Sequence, residues 1–142
     1  MPDRISAIVA LVIDVQKEAE ALGVARGFIA RTGLKAAGLG WSAYTKNGPH
    51  SRVSFGLKLP PVSNPQDIVQ AIEAICAFVV TPEAAKLSYL NSFFNGDGSL
   101  FYNRIFDARA NAFTIPGILW LDIEVNTNAD SQADLARLLA QA

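Results

Sequence analysis

Residues 39–59 read LGWSAYTKNGPHSRVSFGLKL, and this stretch decides the fold. In its second half apolar residues alternate with polar or small ones, which is typical of a strand with one buried face. The alternating apolar residues are Val53, Phe55, Leu57 and Leu59. The first half also alternates, and Asn-Gly-Pro at 47–49 is a turn signal, so the sequence predicts a hairpin. Pro60 ends the second strand because proline donates no ladder hydrogen bond.

Helices are predicted after the hairpin. Asn64 followed by Pro65 is a helix start, and the apolar residues after it recur at helical spacing as far as position 79. A second start signal, Thr-Pro-Glu, predicts a helix over 82–94. The glycine-rich loop at 95–98 ends it, and the spacing of apolar residues beyond the loop predicts another helix over 99–113.

The two ends of the chain complete the prediction. Apolar residues of 5–15 recur at helical spacing, which predicts an amphipathic first helix that ends near Gly23. Glycines weaken any helix over 24–39, so a loose helix or loop is expected there. An Ile-Pro-Gly turn leads into a strand over 118–125, and a short helix begins at Ser131. The sequence predicts a single α+β domain with helices packed on one face of a short, mainly antiparallel sheet.

Composition indicates contact with other protein chains. A length of 142 residues suits one domain, of which 51% is apolar and only 18% charged. A small domain has much surface for its volume, so a low charge count leaves apolar area exposed unless another chain covers it. We therefore expect a homo-oligomer or a place in a larger assembly.

Charge and hydropathy argue against several classes of function. The 12 basic and 13 acidic residues nearly cancel, which removes the positive field that phosphate-backbone binding requires, so no nucleic-acid partner is expected. The apolar runs are far shorter than the roughly 20 residues that span a bilayer, so no membrane partner is expected. The acidic residues around the N-terminal run do not suit a signal peptide. The expected location is cytoplasmic or in a virion.

The residues that carry chemistry are few. His50 is the single histidine and lies beside the predicted turn, so we interpret it as an exposed turn residue. A functional His50 would need an Asp or Glu beside it to hold its tautomer. Cys76 is the single cysteine, which rules out an internal disulfide, and its place on an apolar helical stripe is typical of a buried hydrophobe. A nucleophilic Cys76 paired with His50 is the less favoured alternative.

Two motifs fail at the positions that matter. Asn95, Asp97 and Ser99 have the spacing of calcium ligands, but the glycine and the closing Glu of such a loop are missing, and turn chemistry explains the same residues. Asp122 and Glu124 could act as paired carboxylates, although a solvated strand face explains them better. The sequence therefore predicts no catalytic residue, no metal ligand and no cofactor.

Residues 81–126 resemble the C-terminal part of baseplate J-like phage tail proteins. The resemblance rests on Thr81-Pro-Glu, Phe93-Phe94, the run from Gly98 to Ile105, Ala108 to Ala112, and Ile115-Pro-Gly-Ile118 before an alternating strand. The pattern of that family is a helix, a glycine loop, a helix that carries an arginine, small residues, and Pro-Gly-Val before a strand. Ile118 stands where Val is usual. The resemblance implies a structural subunit of a phage tail or virion.

Two hypotheses of function follow. The first is a non-enzymatic assembly protein whose interface lies on the outer face of the last strand and on the last helix, since buried aromatics dominate association energies. The predicted interface residues are Trp120, Asp122, Glu124, Leu138 and Leu139. The alternative is a small-ligand-binding or enzymatic domain with an aromatic pocket. Its predicted lining is Trp41, Tyr44, Tyr89 and Tyr102.

Overall fold

The computed structural model describes residues 5–45, 48–60, 64–79, 88–107 and 113–140. Its strands are β1 (Ser6–Ile13), β2 (Ala36–Tyr44), β3 (His50–Lys58), β4 (Tyr89–Phe94), β5 (Leu100–Asp107) and β6 (Ile118–Asn126). The helices are α1 (Glu18–Thr32), α2 (Pro65–Val79) and α3 (Ala129–Ala140). The six strands form one sheet in the order β2-β3-β1-β6-β5-β4, and every neighbouring pair is antiparallel. The predicted α+β class is confirmed.

Strand β1 lies in the middle of the sheet between β3 and β6. The predicted helix over 5–15 is wrong for this segment. Val9, Leu11 and Ile13 are fully buried on one face, and Ala10 and Val12 are almost fully buried on the other. A strand buried on both faces gives a continuous apolar run, and such a run matches helical spacing as easily as strand spacing. Its β-branched residues favour the extended chain.

Helix α1 follows β1 and is longer than the sequence indicates. It continues through Gly23, where an end was predicted, as far as Thr32. Ala21, Ala25 and Phe28 form its buried side. Gly33 ends the helix in the left-handed conformation, with φ of 69°, which glycine adopts without steric cost. The tertiary contacts of this buried side offset the low helix propensity of the internal glycines.

The predicted hairpin and the helix after it are confirmed. β2 and β3 pair in antiparallel register, and the four alternating apolar residues of 53–59 are buried. Asn64 caps the start of α2, since its side-chain oxygen accepts from the Asp67 N–H at 3.1 Å. The apolar side of α2 contributes Ile68, Ile72 and Ile75 to the core. In these segments local patterning and tertiary packing favour the same structure.

Two predicted helices are strands in the structure. Residues 89–94 form β4 and residues 100–107 form β5, so the helices expected over 82–94 and 99–113 are wrong for these parts. Residues 80–87 and 108–112 lie outside the described residues. Aromatic residues, which favour strands, are frequent in both segments. Pairing of β5 with β6, and of β4 with β5, fixes the two segments as strands. The helical spacing beyond the glycine loop was coincidental.

Strand β6 is confirmed, with one local difference. The alternation of 118–125 predicts that Leu119, Leu121, Ile123 and Val125 face the core, and the last three of these are buried there. The pairing with β1 shifts between Val12 and Ile13, and beside this irregularity Ile118 is buried while Leu119 is only half-buried. A bulge of this kind changes the side of the sheet to which a residue points.

The helices lie on two sides of the sheet. Phe28 of α1 packs against Phe55 of β3, with ring centroids 6.0 Å apart, so α1 covers the core face. Gly56 alternates with Phe55 and points to the opposite, outer face, where it contacts Leu139 of α3. The third helix therefore lies opposite α1, which departs from the single helical layer that the sequence predicted. None of the described helices has the length and apolarity that a bilayer span requires.

Gly56→Val tests the seat of α3 on the outer face. A Cβ atom at this position would overlap the Leu139 side chain, so α3 must shift. We expect the free energy of unfolding to fall by about 1–3 kcal/mol, as in other overpacked sites. Urea denaturation measures the change. The control is Ser54→Val on the same strand and face, which should cost less, and an equal loss in both variants would place Leu139 elsewhere.

Candidate interaction surface

The strand β4 exposes large apolar side chains at one edge of the sheet. Tyr89 is 65% exposed, Leu90 51%, Phe93 53% and Phe94 66%. We call these four residues the edge surface. Residues 88–95, which contain it, read SYLNSFFN and carry no charge. Long apolar edge strands favour pairing with another chain, and native proteins usually protect them with charges, prolines or bulges. None of these protections occurs within β4.

The hydrogen-bonding groups of β4 also point outward. The Asn95 N–H donates to the Ser99 carbonyl at 2.7 Å, which marks this pair as hydrogen-bonded. Pair types alternate along an antiparallel ladder, and the register of β4 with β5 continues without a shift. Leu90, Ser92 and Phe94 therefore occupy the non-hydrogen-bonded pairs. Their N–H and C=O groups point away from β5, toward the open edge.

The opposite edge of the sheet, formed by β2, is built differently. The pairing of β2 with β3 shifts between Ala37 and Gly40. Gly38 within this bulge has a φ of 70°, a conformation that side chains rarely allow. A bulge twists an edge strand and interrupts its row of hydrogen-bonding groups. Of the two described edges, only β4 is regular over its whole length.

The turn between β4 and β5 is fixed by its own polar side chains. The Asp97 carboxylate accepts from the Ser99 N–H at 3.0 Å and from the Ser99 hydroxyl at 2.6 Å. Asn128 donates to the same carboxylate at 2.6 Å, and these bonds lower the pKa of Asp97. The residues with calcium-ligand spacing thus act as turn residues. No group of three or more His, Cys, Asp or Glu within the described ranges forms a candidate metal site.

A polar cluster joins α2 to β5 beside β4. The Tyr102 hydroxyl donates to the Glu73 carboxylate, and the Arg104 guanidinium lies 3.3 Å from the same oxygen. Arg104 also donates to the Ser88 hydroxyl at 2.6 Å, immediately before β4 begins. Burial, followed by the bond to Glu73, raises the pKa of Tyr102. Sequence patterning gave no signal for this cluster, because it assigned Tyr102 and Arg104 to a helix.

His50 and Cys76 do not form a catalytic pair. His50 is mostly buried, and its Nδ1 lies 3.3 Å from a carboxylate oxygen of Asp14, so its interpretation as an exposed turn residue is wrong. Cys76 is buried near Glu73 and Arg104. Arg104 lies on β5, which is three strand positions from β3 and His50, roughly 14 Å across the sheet. Burial and the nearby Glu73 raise the pKa of the Cys76 thiol to about 12, so it is not a ready nucleophile.

The predicted interface residues lie on the outer face, but not as one patch. Leu139 packs against Gly56, whereas Leu138 is exposed beside Glu124. Trp120 and Asp122 are half-buried on the same face of β6. Trp120 is four residues from Glu124, about 13 Å along the strand. The structure therefore brings Glu124 and Leu138 together and separates them from Trp120.

A groove of about 280 Å³ lies between α3 and the sheet. Its lining residues are Ser6, Ile8, Glu124, Asn126, Ser131, Gln132, Asp134, Leu135 and Leu138. The Gln132 side chain accepts from the Ser6 N–H at 2.9 Å and donates to the Asn126 carbonyl at 2.7 Å. These bonds join α3 to β1 and to β6. The groove is slightly smaller than the usual range for small-molecule sites.

The aromatic residues of the alternative hypothesis do not meet. Trp41 and Tyr44 lie on β2, and Tyr89 and Tyr102 lie on β4 and β5, at the other side of a six-stranded sheet. The Trp41 indole N–H donates to the Ser51 hydroxyl at 2.9 Å. The Tyr102 hydroxyl is bound by Glu73. These side chains cannot line one pocket.

Comparison with protein-family models, curated proteins and solved structures finds no significant match. Function is therefore inferred from the geometry of the described residues. The most unusual feature of this geometry is the edge surface, which the sequence patterns did not predict. The available signal was an uncharged, aromatic-rich run at 88–95, and its assignment to a helix concealed its exposure.

Glu124→Gln tests the electrostatics of the outer face. Burial, followed by the charge of Asp122, raises the pKa of Glu124. The carboxyl group of Glu124 therefore stays protonated to a higher pH in the folded protein than in the unfolded chain. The free energy of unfolding falls as pH rises from the pKa of the unfolded chain through the pKa of the folded protein. We expect the variant to be more stable than the wild type near pH 7, and the difference to vanish near pH 3, where the carboxyl group is neutral.

Urea denaturation at both pH values measures the effect. Glu20→Gln on the exposed side of α1 is the matched control and should show no such gain. A Glu124→Gln variant that is less stable near pH 7 would mean that the carboxylate makes a favourable contact, for example with another copy of the chain.

Proposed function

We propose that this protein is a non-enzymatic assembly subunit that acts through protein–protein contacts, in a homo-oligomer or a larger assembly. The observation that carries the proposal is the edge surface. Four large apolar side chains and a row of outward N–H and C=O groups occur together on one uncharged strand. Exposed apolar patches of this kind mark interaction sites, because water contact with them is unfavourable.

The low charge of the whole chain supports the same proposal. Only 18% of the residues are charged, and mean hydropathy is +0.24. The edge surface shows where part of the uncovered apolar area lies. The interface predicted on β6 and α3 is a second candidate contact, with Leu138 as its most exposed apolar member.

The resemblance to baseplate J-like proteins is the support for placing the assembly in a phage tail or virion. Strands β4 and β5 stand where that pattern has helices. The resemblance therefore rests on the Pro-Gly turn at 116–117 and on the strand β6 after it.

A double substitution, Leu90→Lys with Phe94→Lys, tests the proposed function. Two lysines on an exposed edge oppose the approach of a second strand, as they do in native edge strands. We expect the wild-type chain to form a multimer in a dilution series followed by light scattering, and the double variant to have the 15.2 kDa mass of one chain. Both positions are exposed, so the circular dichroism spectrum should not change.

Leu138→Lys on α3 is the comparison, since it places one lysine at an apolar position that is as exposed as Phe94. It should leave the mass of the multimer unchanged. Dissociation by Leu138→Lys but not by the double variant would move the contact from β4 to α3. A wild type that is monomeric at every concentration would contradict self-assembly.

A further inference from the structure

We infer that the partner of β4 is the β4 strand of a second copy, paired antiparallel about a two-fold axis at Ser92. This inference rests on the proposed function and names the partner of the same edge surface. The two sheets then continue into one another through the paired edge strands. Pairing of this type uses the backbone for affinity and the side chains for register.

Charge compatibility favours a second copy. In a symmetric pair each strand faces its own sequence, so any charge on it would face a like charge nearby. Residues 88–95 carry none. A partner of another sequence with a charged edge would find no opposite charge on β4. The strand is therefore suited to pair with itself.

The outward hydrogen-bonding groups fix the register. Leu90, Ser92 and Phe94 hold these groups, and a two-fold axis at Ser92 pairs Ser92 with itself and Leu90 with Phe94 of the other copy. Every outward N–H and C=O of the three residues then has a partner. The same register places apolar Leu90 against apolar Phe94 on one face. An axis at Asn91 would instead pair Leu90 with Ser92.

The available contact area lies near the lower end for a specific interface. At roughly 200 Å² for a large side chain, the exposed fractions of the edge surface amount to about 470 Å² per copy, which is the upper limit of what pairing can bury on these four residues. The strand backbone and Phe101, which stacks on Phe93 at 4.9 Å, extend this area. The total approaches the roughly 600 Å² per partner of the smallest specific complexes.

The other edge of the sheet favours a closed dimer over an open chain of copies. An open chain would need β4 to pair with β2 of the next copy. The bulge in β2 between Ala37 and Gly40 interrupts the row of groups that such pairing requires. Symmetric pairing of β4 leaves β2 free and closes the assembly.

Ser92→Cys tests the inference by cross-linking. In the proposed register the two introduced thiols face each other at a Cα separation of about 5.5 Å, within disulfide range. The matched control is Asn91→Cys, whose two copies would be about 8 Å apart and out of range. Cys76 does not interfere, because it is buried and burial raises its thiol pKa. Oxidised glutathione supplies the oxidant, and a non-reducing gel gives the readout.

We expect a covalent dimer for Ser92→Cys and loss of that dimer when Leu90→Lys and Phe94→Lys are added. Preferential cross-linking of Asn91→Cys would overturn the register. A third outcome is that neither cysteine variant cross-links, although the wild type is a multimer and the two lysines dissociate it. That outcome would overturn symmetric pairing, whereas the proposed function would stand. A monomeric wild type would overturn symmetric pairing together with self-assembly.

Discussion

Burial of β1 on both faces is the constraint on which the rest of the structure depends. The strand lies between β3 and β6 and hydrogen-bonds to both over nearly its whole length. Its apolar residues can leave water only if one layer covers the core face and other groups cover the outer face. Helix α1 supplies the first cover through Phe28, and part of the second comes from α3, whose Leu139 packs on neighbouring Gly56.

The position of β1 at the centre also determines where the sheet ends. Strands β3 and β6 pair with the two edges of β1. The β2–β3 and β4–β5 hairpins therefore extend the sheet in opposite directions. Each hairpin therefore leaves one strand at an edge. The bulge interrupts β2, whereas the hydrogen bond from Arg104 to Ser88 ties the start of β4 to β5 and the register of β4 is unbroken. The candidate interaction surface is thus a consequence of topology as much as of its own residues.

Part of the fold could be predicted because local and tertiary preferences agree there. The hairpin ending at Leu59, the helix α2 and the strand β6 all carry a period that matches their environment. The prediction failed for β1 because a strand that is buried on both faces over most of its length, as at 9–13, has no alternation to detect. It failed for β4 and β5 because a glycine-rich turn between aromatic runs is as typical of a hairpin as of a helix boundary. The helix start signal Thr-Pro-Glu at 81–83 then favoured the helix.

The candidate site was less predictable than the fold. The low charge of the chain indicated association. The interface was predicted at Trp120 and Leu138 because the period of a strand or helix assigns residues to its faces. An edge has no periodic signature, since it is defined by the strand that is missing beside it. Strands β1 and β4 are both rich in apolar residues, yet most of β1 is buried and all of β4 is exposed. The difference comes from their positions in the sheet.

The sequence by itself determined the α+β class, the β2–β3 hairpin, the apolar side of α2 and the scarcity of charge, because each depends on neighbours along the chain. Only the tertiary structure decided which apolar segments became central and which became edges. It also brought Glu73 to Tyr102 and Asp14 to His50. The physical reason is that strand order and long-range contacts depend on pairing between distant segments, whose burial no local period records.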